Sequence, residues 1–240
     1  MTKKLMSSLI KIILTFCVVG LIGCAGTPKI DDPVLSDGIN QQTRERVKAW
    51  KTLIDSGSRW SDIKKLNSVN DFVNRVEFID DILHWRKDDY WATPLQTLVS
   101  DGGDCEDLSI AKYFTLTSMG LDESKLRLTY VKALTINKPH MVVSYFERPN
   151  SVPLVLDNLD ERIMPAPQRR DLLPVYSFNG EGLWLAKREK GGDYAGSSKR
   201  ISLWQTLLRT MDVEASNETS MICLYQYYDL PDDRAKMLCP

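Results

Sequence analysis

Between Gly102-Gly103 and Gly120 the chain sets Leu108, Ile110, Ala111, Tyr113, Phe114, Leu116 and Met119 on nearly every side of one helix. A helix that is apolar all round belongs in the interior, so the rest of the chain has to be built around it. The two glycines mark a turn before a start near Cys105, and Gly120 stands where a C′ glycine would end the helix. Upstream, Val47, Trp50, Leu53 and Ile54 share one face of a helix that begins near Gln41. A second helix is expected from Ser68, with Asp71 as its capping partner and a stripe of Val69, Phe72, Val73, Val76, Ile79 and Leu83. Trp60, Trp85 and Trp91 read as packing residues in this region. Downstream the pattern shortens to apolar runs bounded by turns, over 126–134, 140–146, 154–157, 175–178 and 183–186. Those runs read as strands of an antiparallel sheet. A last amphipathic helix from about Ser202 uses Leu203, Leu207, Leu208 and Met211. The fold class is α+β, with N-terminal helices and a central buried helix packed on the sheet.

The first residues stand apart from that fold. Lys3 and Lys4 precede an apolar stretch over 12–22, shorter than the roughly twenty apolar residues that cross a bilayer. It reads as an export signal over 1–24. Its end, Leu21-Ile22-Gly23-Cys24, resembles a bacterial lipobox in which Cys24 would be lipidated; an ordinary signal peptide or an uncleaved anchor are the other readings. The polar segment 25–40 then serves as a tether, 41–215 as one domain, and 216–240 as a C-terminal tail. With 31 basic and 32 acidic residues, and no basic stripe, the chain offers no electrostatic case for binding nucleic acid.

Cysteine chemistry follows from export. Cys17 and Cys24 lie in the leader, which leaves Cys105, Cys223 and Cys239. In an oxidising compartment an odd number leaves one thiol over. Cys223 and Cys239 could bridge within the tail and leave Cys105 free; three reduced, buried cysteines are the alternative. Cys105 sits at the start of the buried helix, where partial positive charge favours a thiolate nucleophile. Of the two histidines, His84 reads as a packed or solvent-edge residue on the second helix, beside Trp85, whereas His140 opens a strand. That strand and the run ending at Asp157 are joined by a turn at Arg148-Pro149-Asn150-Ser151. A turn there sets His140 opposite Asp157 or diagonal to it on one face, while a one-residue slip would separate them. A carboxylate beside an imidazole fixes its tautomer and stabilises the imidazolium that pairs with a thiolate.

The neighbours of Cys105 pose a conflict. Asp104, Glu106 and Asp107 suit the first turn of a helix, but negative charge raises a thiol's pKa, against the needs of a nucleophile. A hard cation held by these carboxylates would resolve it, and calcium prefers such oxygens.

Five segments then stand in order: Trp91-Ala92-Thr93-Pro94-Leu95, Gly102-Gly103-Asp104-Cys105-Glu106-Asp107-Leu108, Pro139-His140-Met141-Val142, Leu154-Val155-Leu156-Asp157-Asn158-Leu159 and Pro174-Val175-Tyr176-Ser177-Phe178-Asn179. Together they resemble the bacterial transglutaminase-like cysteine proteinases of the LapG type, over roughly residues 40–215. The resemblance implies a papain-like or transglutaminase-like core. It implies a calcium-dependent periplasmic protease that cuts a large biofilm adhesin near its N-terminus at a di-alanine site. An inner-membrane receptor that senses cyclic di-GMP would hold such a protease inactive. Carried over by residue, Cys105, His140 and Asp157 match the catalytic triad, Asp104 and Glu106 the calcium carboxylates with Asp107 beside them, and Trp91 a border of the substrate cleft. The lipobox-like start departs from the plain signal or anchor usual in the family, which leaves open the membrane to which the enzyme is attached. Three other readings remain: an exported peptidoglycan endopeptidase of the NlpC type, a non-catalytic module of the same fold that only binds a receptor, and a protein-crosslinking transglutaminase.

Overall fold

The computed structural model describes residues 41–187 and 190–216. The leader with Cys17 and Cys24, the whole of the tether over 25–40, and the tail beyond residue 216 with Cys223 and Cys239 lie outside the described residues. Helices α1 (Gln41–Gly57) and α2 (Asp62–Val73) come first, followed by strand β1 (Glu77–Phe78) and a single turn of helix, α3 (Asp81–His84). Next come α4 (Pro94–Ser100), strand β2 (Gly102–Gly103) and α5 (Cys105–Ser118). The second half is β3 (Leu126–Ala133), β4 (Lys138–Tyr145), β5 (Leu154–Leu156), β6 (Met164–Pro165), β7 (Leu172–Phe178), β8 (Leu183–Lys187), β9 (Lys190–Gly196) and α6 (Ser202–Ser216). Strands β3 to β9 form one antiparallel sheet in the order β6-β5-β4-β3-β7-β8-β9, while β1 and β2 pair in parallel beside it.

α5 is the axis of the core, as its composition requires. Leu108, Ile110, Ala111, Tyr113 and Leu116 are fully buried, and with Leu126, Leu128, Met141, Val143, Leu156 and Phe178 of the sheet they make one cluster. α2 adds Leu66, Val69 and Val73, and α6 adds Trp204 and Leu207. Trp204 is held by three rings on two elements, α5 and β7. It stacks on Phe114 at 5.6 Å and meets Tyr113 and Phe178 edge-on. Burying a side chain of that size contributes roughly 2–3 kcal/mol, so α6 is anchored chiefly at its first turn. Gly120, at φ +75°, terminates the central helix in the left-handed conformation that glycine adopts without strain.

Two expectations are corrected. The second helix starts at Asp62, not Ser68, and stops at Val73, so Ile79 and Leu83 are not on its stripe and Leu83 is exposed. Val76 is buried, but from the loop that follows the helix. The strand expected over 175–178 begins at Leu172, and a bulge between Tyr130 and Val131 shifts its register against β3. Among the described residues no helix is long and apolar enough to cross a membrane.

Candidate active site

The start of α5 is fixed by its approach. Gly102 and Gly103 pair with Glu77 and Phe78, and the Ile79 N–H donates to the Gly103 carbonyl at 2.9 Å. Asp104 is the N-cap, its side chain accepting from the Glu106 N–H. Asp107, fully buried one turn in, accepts from the Trp85 indole at 3.0 Å and the Ala92 N–H at 2.7 Å. It thereby ties the helix to the Trp91-Ala92-Thr93-Pro94 segment, where Thr93 and Gln96 form the capping box of α4. Glycine at 103 is a packing requirement. A Cβ there would lie 2.6 Å from Asp107 Oδ2 and 2.7 Å from Asp107 Cβ. Gly103→Ala is expected to destabilise the domain by about 1–3 kcal/mol, and a thermal melt should show a loss of several degrees; an unchanged melt would mean that the turn yields freely.

Cys105 opens the helix, half-buried, its thiol donating to Glu106 Oε2 at 2.7 Å. Burial pushes this thiol well up, and the charges of Glu106 and Asp104 and the hydrogen bond to Glu106 push it further; the Met141 N–H against the sulfur opposes them. His140 precedes Met141 on β4. Its Nε2 lies 2.6 Å from Asp157 Oδ1, and both side chains are buried. The register explains the meeting: Val143 pairs with Leu156 and Tyr145 with Leu154, so Asp157 continues beside Val142 and stands diagonal to His140 on one face. Beyond β5, the Asn158 and Leu159 N–H groups donate to the same Oδ1, and Asn74, the C-cap of α2, donates to the Asp157 carbonyl. Burial alone would raise the Asp157 pKa, but His140 and Arg169 outweigh it and hold the carboxyl down at about 2. His84, by contrast, is packed: buried, edge-on to Trp85, and 2.8 Å from the Ser100 hydroxyl.

Cys105, His140, Asp104 and Glu106 line one cleft of about 730 Å³. Trp91 borders it, stacked on Phe178 at 5.7 Å, and Tyr130 and Tyr176, stacked at 5.1 Å, form another wall. On the side of Glu106 the fold gathers carboxylates that are distant in sequence. Asp81, Asp89 and Glu106 come together, as do Asp81, Asp104 and Asp107, each set offering oxygens within 4.8 Å of one another. Asp81 is buried, and its Oδ1 has no hydrogen-bond partner among the described residues. Burial and then the charges of neighbouring carboxylates raise Asp81 to about 7 and Asp104 to about 10. Asp89 is raised too, by burial and then by Glu106, against a hydrogen bond with Trp91. An all-oxygen basin with an orphaned buried carboxylate oxygen fits a hard divalent cation. Asp104 and Glu106 are part of it, and Asp107 is already committed to Trp85 and Ala92. Asp81, Asp89 and Arg169 were not singled out from sequence; the doublets Asp80-Asp81 and Asp88-Asp89 around Trp85 are the only local signal.

Comparisons with known proteins point to one family. Residues 39–171 match the profile of the family described as bacterial transglutaminase-like cysteine proteinase. Among solved structures, Legionella pneumophila LapG in an EGTA-treated form is 44% identical, with a TM-score of 0.65, covering 72% of this chain and 91% of that one. The calcium-bound form of Legionella pneumophila LapG is likewise 44% identical, with a TM-score of 0.64, covering 72% of this chain and 92% of its own. No match was found among the curated proteins.

Proposed function

Because this chain belongs to the bacterial transglutaminase-like cysteine proteinases and shares their fold, we propose that it is a calcium-dependent periplasmic endopeptidase with Cys105, His140 and Asp157 as its catalytic triad. The observation that carries this reading is the buried His140–Asp157 pair on the cleft that also holds Cys105 at a helix N-terminus.

The reaction is acyl transfer to sulfur. His140 takes the thiol proton, and the Cys105 sulfur attacks the scissile carbonyl. The Cys105 N–H, in the first turn of α5, donates to the developing oxyanion. His140 then gives its proton to the leaving amine, and water, deprotonated by the same ring, hydrolyses the thioester. Asp157 accepts from Nε2, which leaves Nδ1 as the nitrogen that exchanges the proton. Trp91 and the Tyr130–Tyr176 pair wall the cleft against an extended peptide. Asp104, Glu106, Asp81 and Asp89 would hold the calcium ion. When bound, that ion supplies positive charge beside the thiol and competes for the Glu106 carboxylate that otherwise receives its proton.

The substrate in this reading is the N-terminal region of a large repeat adhesin, cut so that the adhesin leaves the cell and biofilm disperses. Control comes from an inner-membrane cyclic di-GMP receptor that sequesters the protease. Export by the N-terminal leader, with lipidation at Cys24 as the form of attachment, places the enzyme in the periplasm. Purified protein incubated with calcium and the N-terminal fragment of the host's largest repeat adhesin should yield two discrete products. Cleavage of peptidoglycan fragments, or incorporation of a labelled amine, in place of peptide hydrolysis would overturn the proposal.

A further inference from the structure

The carboxylate behind His140 is held from its far side by a group that the triad does not include. Asp157 divides its two oxygens between partners: Oδ1 takes His140 and the two loop N–H groups, while Oδ2 accepts from Arg169 Nη2 at 2.6 Å. Arg169 is only 2% exposed and is itself fixed. Its Nε and Nη2 grip Asp171 at 3.0 and 2.7 Å, and its own N–H closes the short turn on the Ala166 carbonyl. The Asp171 carbonyl in turn accepts from Leu134 at the end of β3. Sheet, turn and guanidinium thus form one frame around the carboxylate.

We propose that Arg169 is a positioning residue for the reaction, one that locks the orientation and charge of Asp157 so that its Oδ1 always faces His140. The proposal rests on the triad reading given above. Two arguments support it. A buried carboxylate whose single ionisable partner is an imidazole loses its counter-charge whenever the ring is neutral, and burial then favours its taking up a proton from solvent and turning from acceptor to donor. A guanidinium remains charged throughout the working pH range, so Asp157 stays an acceptor in every step. Secondly, the ion pair is not arranged for stability alone. Arg169 Nη1 is buried with no hydrogen-bond partner among the described residues, and a buried ion pair is often no more stable than apolar packing of the same shape. A group retained despite an unsatisfied nitrogen is better explained by what it does to Asp157.

Arg169→Met, Arg169→Lys, Asp157→Asn and the double variant Arg169→Met/Asp157→Asn separate the possibilities. With the adhesin fragment as substrate, Arg169→Met should lower kcat about 10- to 100-fold, in the range of outer-shell partners, with KM within about twofold. Arg169→Lys should recover part of the loss, since a point charge replaces the countercharge but not the fork. In the Asp157→Asn background the Arg169 substitution should cost little more, because its effect runs through that carboxylate. A readout independent of turnover is the nitrogen NMR spectrum of His140. The full-length protein should carry its proton on Nε2, and Arg169→Met should give mixed tautomers in protein that remains folded. If Arg169→Met melts early, Arg169→Lys supplies both readouts. An unchanged kcat with an unchanged His140 spectrum, or losses that multiply independently in the double variant, would overturn the assignment. If the wild-type protein cuts nothing while the spectrum still responds to residue 169, the triad reading fails and the hold on Asp157 stands.

Discussion

Cys105→Ala is expected to remove peptidase activity altogether while the domain keeps its fold. The thiol is the nucleophile in the proposed mechanism, so its loss should cost roughly 10⁴-fold or more, leaving only what substrate binding and the oxyanion donor provide. Stability should not follow activity. Cys105 is half-buried, and its sulfur sits against Glu106 in a crowd of carboxylates that penalise it. The core around α5 is built from Leu108 onward and does not depend on the sulfur. Gel analysis of the adhesin fragment and a melt of the variant provide the two readouts. Cleavage persisting in Cys105→Ala would refute the nucleophile; loss of both fold and cleavage would be answered by Cys105→Ser, which retains the shape and should also be inactive.

How much of this could be read in the sequence depended on the distance over which each feature is determined. The central helix was legible because its signals are local: two glycines before it, apolar residues all round it, and Gly120 after it, and it begins at the expected Cys105. The His140–Asp157 pairing was legible because strand parity is strict. Even with the turn read two places off in register sum, both residues stay on one face. α4 is only seven residues, too short for periodicity, although Thr93 and Gln96 announce its cap. β9, Lys190–Gly196, is glycine-rich and polar, and it is a strand because β8 has a free edge for it to pair with. The second helix was misplaced because Val76, Ile79 and Leu83 continue the apolar spacing past Val73, where the chain has already left the helix and only Val76 of the three is buried.

The site divides in the same way. Asp104 and Glu106 flank Cys105 and were visible beside it. Asp81 and Asp89 come from the segment around α3, and only the packing of that segment against the start of α5 brings their oxygens to Glu106. Arg169 lies beyond β6 in a stretch with no apolar pattern, and its role depends on a buried contact twelve residues back along the chain. Charge convergence of this kind is a tertiary property, and one sequence carries no periodic trace of it.

Removing calcium should have the second-largest effect, and it should appear in both activity and stability. Excess EGTA is expected to reduce cleavage to about 1% or less, with full recovery on adding calcium back, since the Glu106 carboxylate is then left to hold the Cys105 proton. A thiol deprived of its countercharge loses thiolate character in proportion. The stability of the calcium-free protein should fall as pH rises. Asp81, ordinarily near 3.8, titrates at about 7 in the fold, and Asp104 at about 10, both because burial and neighbouring charge disfavour ionisation. For a carboxyl raised in this direction, the stabilisation is complete below its ordinary pKa and is lost as pH climbs through the folded value. The melting temperature of the EGTA-treated protein should therefore decline from about pH 4 to about pH 7 and beyond, with a slope of up to about 1.4 kcal/mol per pH unit for each such group. Calcium at about 100 times its Kd should return about 2.7 kcal/mol, some 5–10 °C in a domain of this size, and more at pH 8 than at pH 5. Asp81→Asn should weaken that gain while raising the melting temperature of the calcium-free protein, because it removes one charge from a crowded basin without disturbing its shape. A melting temperature at pH 8 that is the same with EGTA and with calcium, together with undiminished cleavage, would remove the cation from the mechanism.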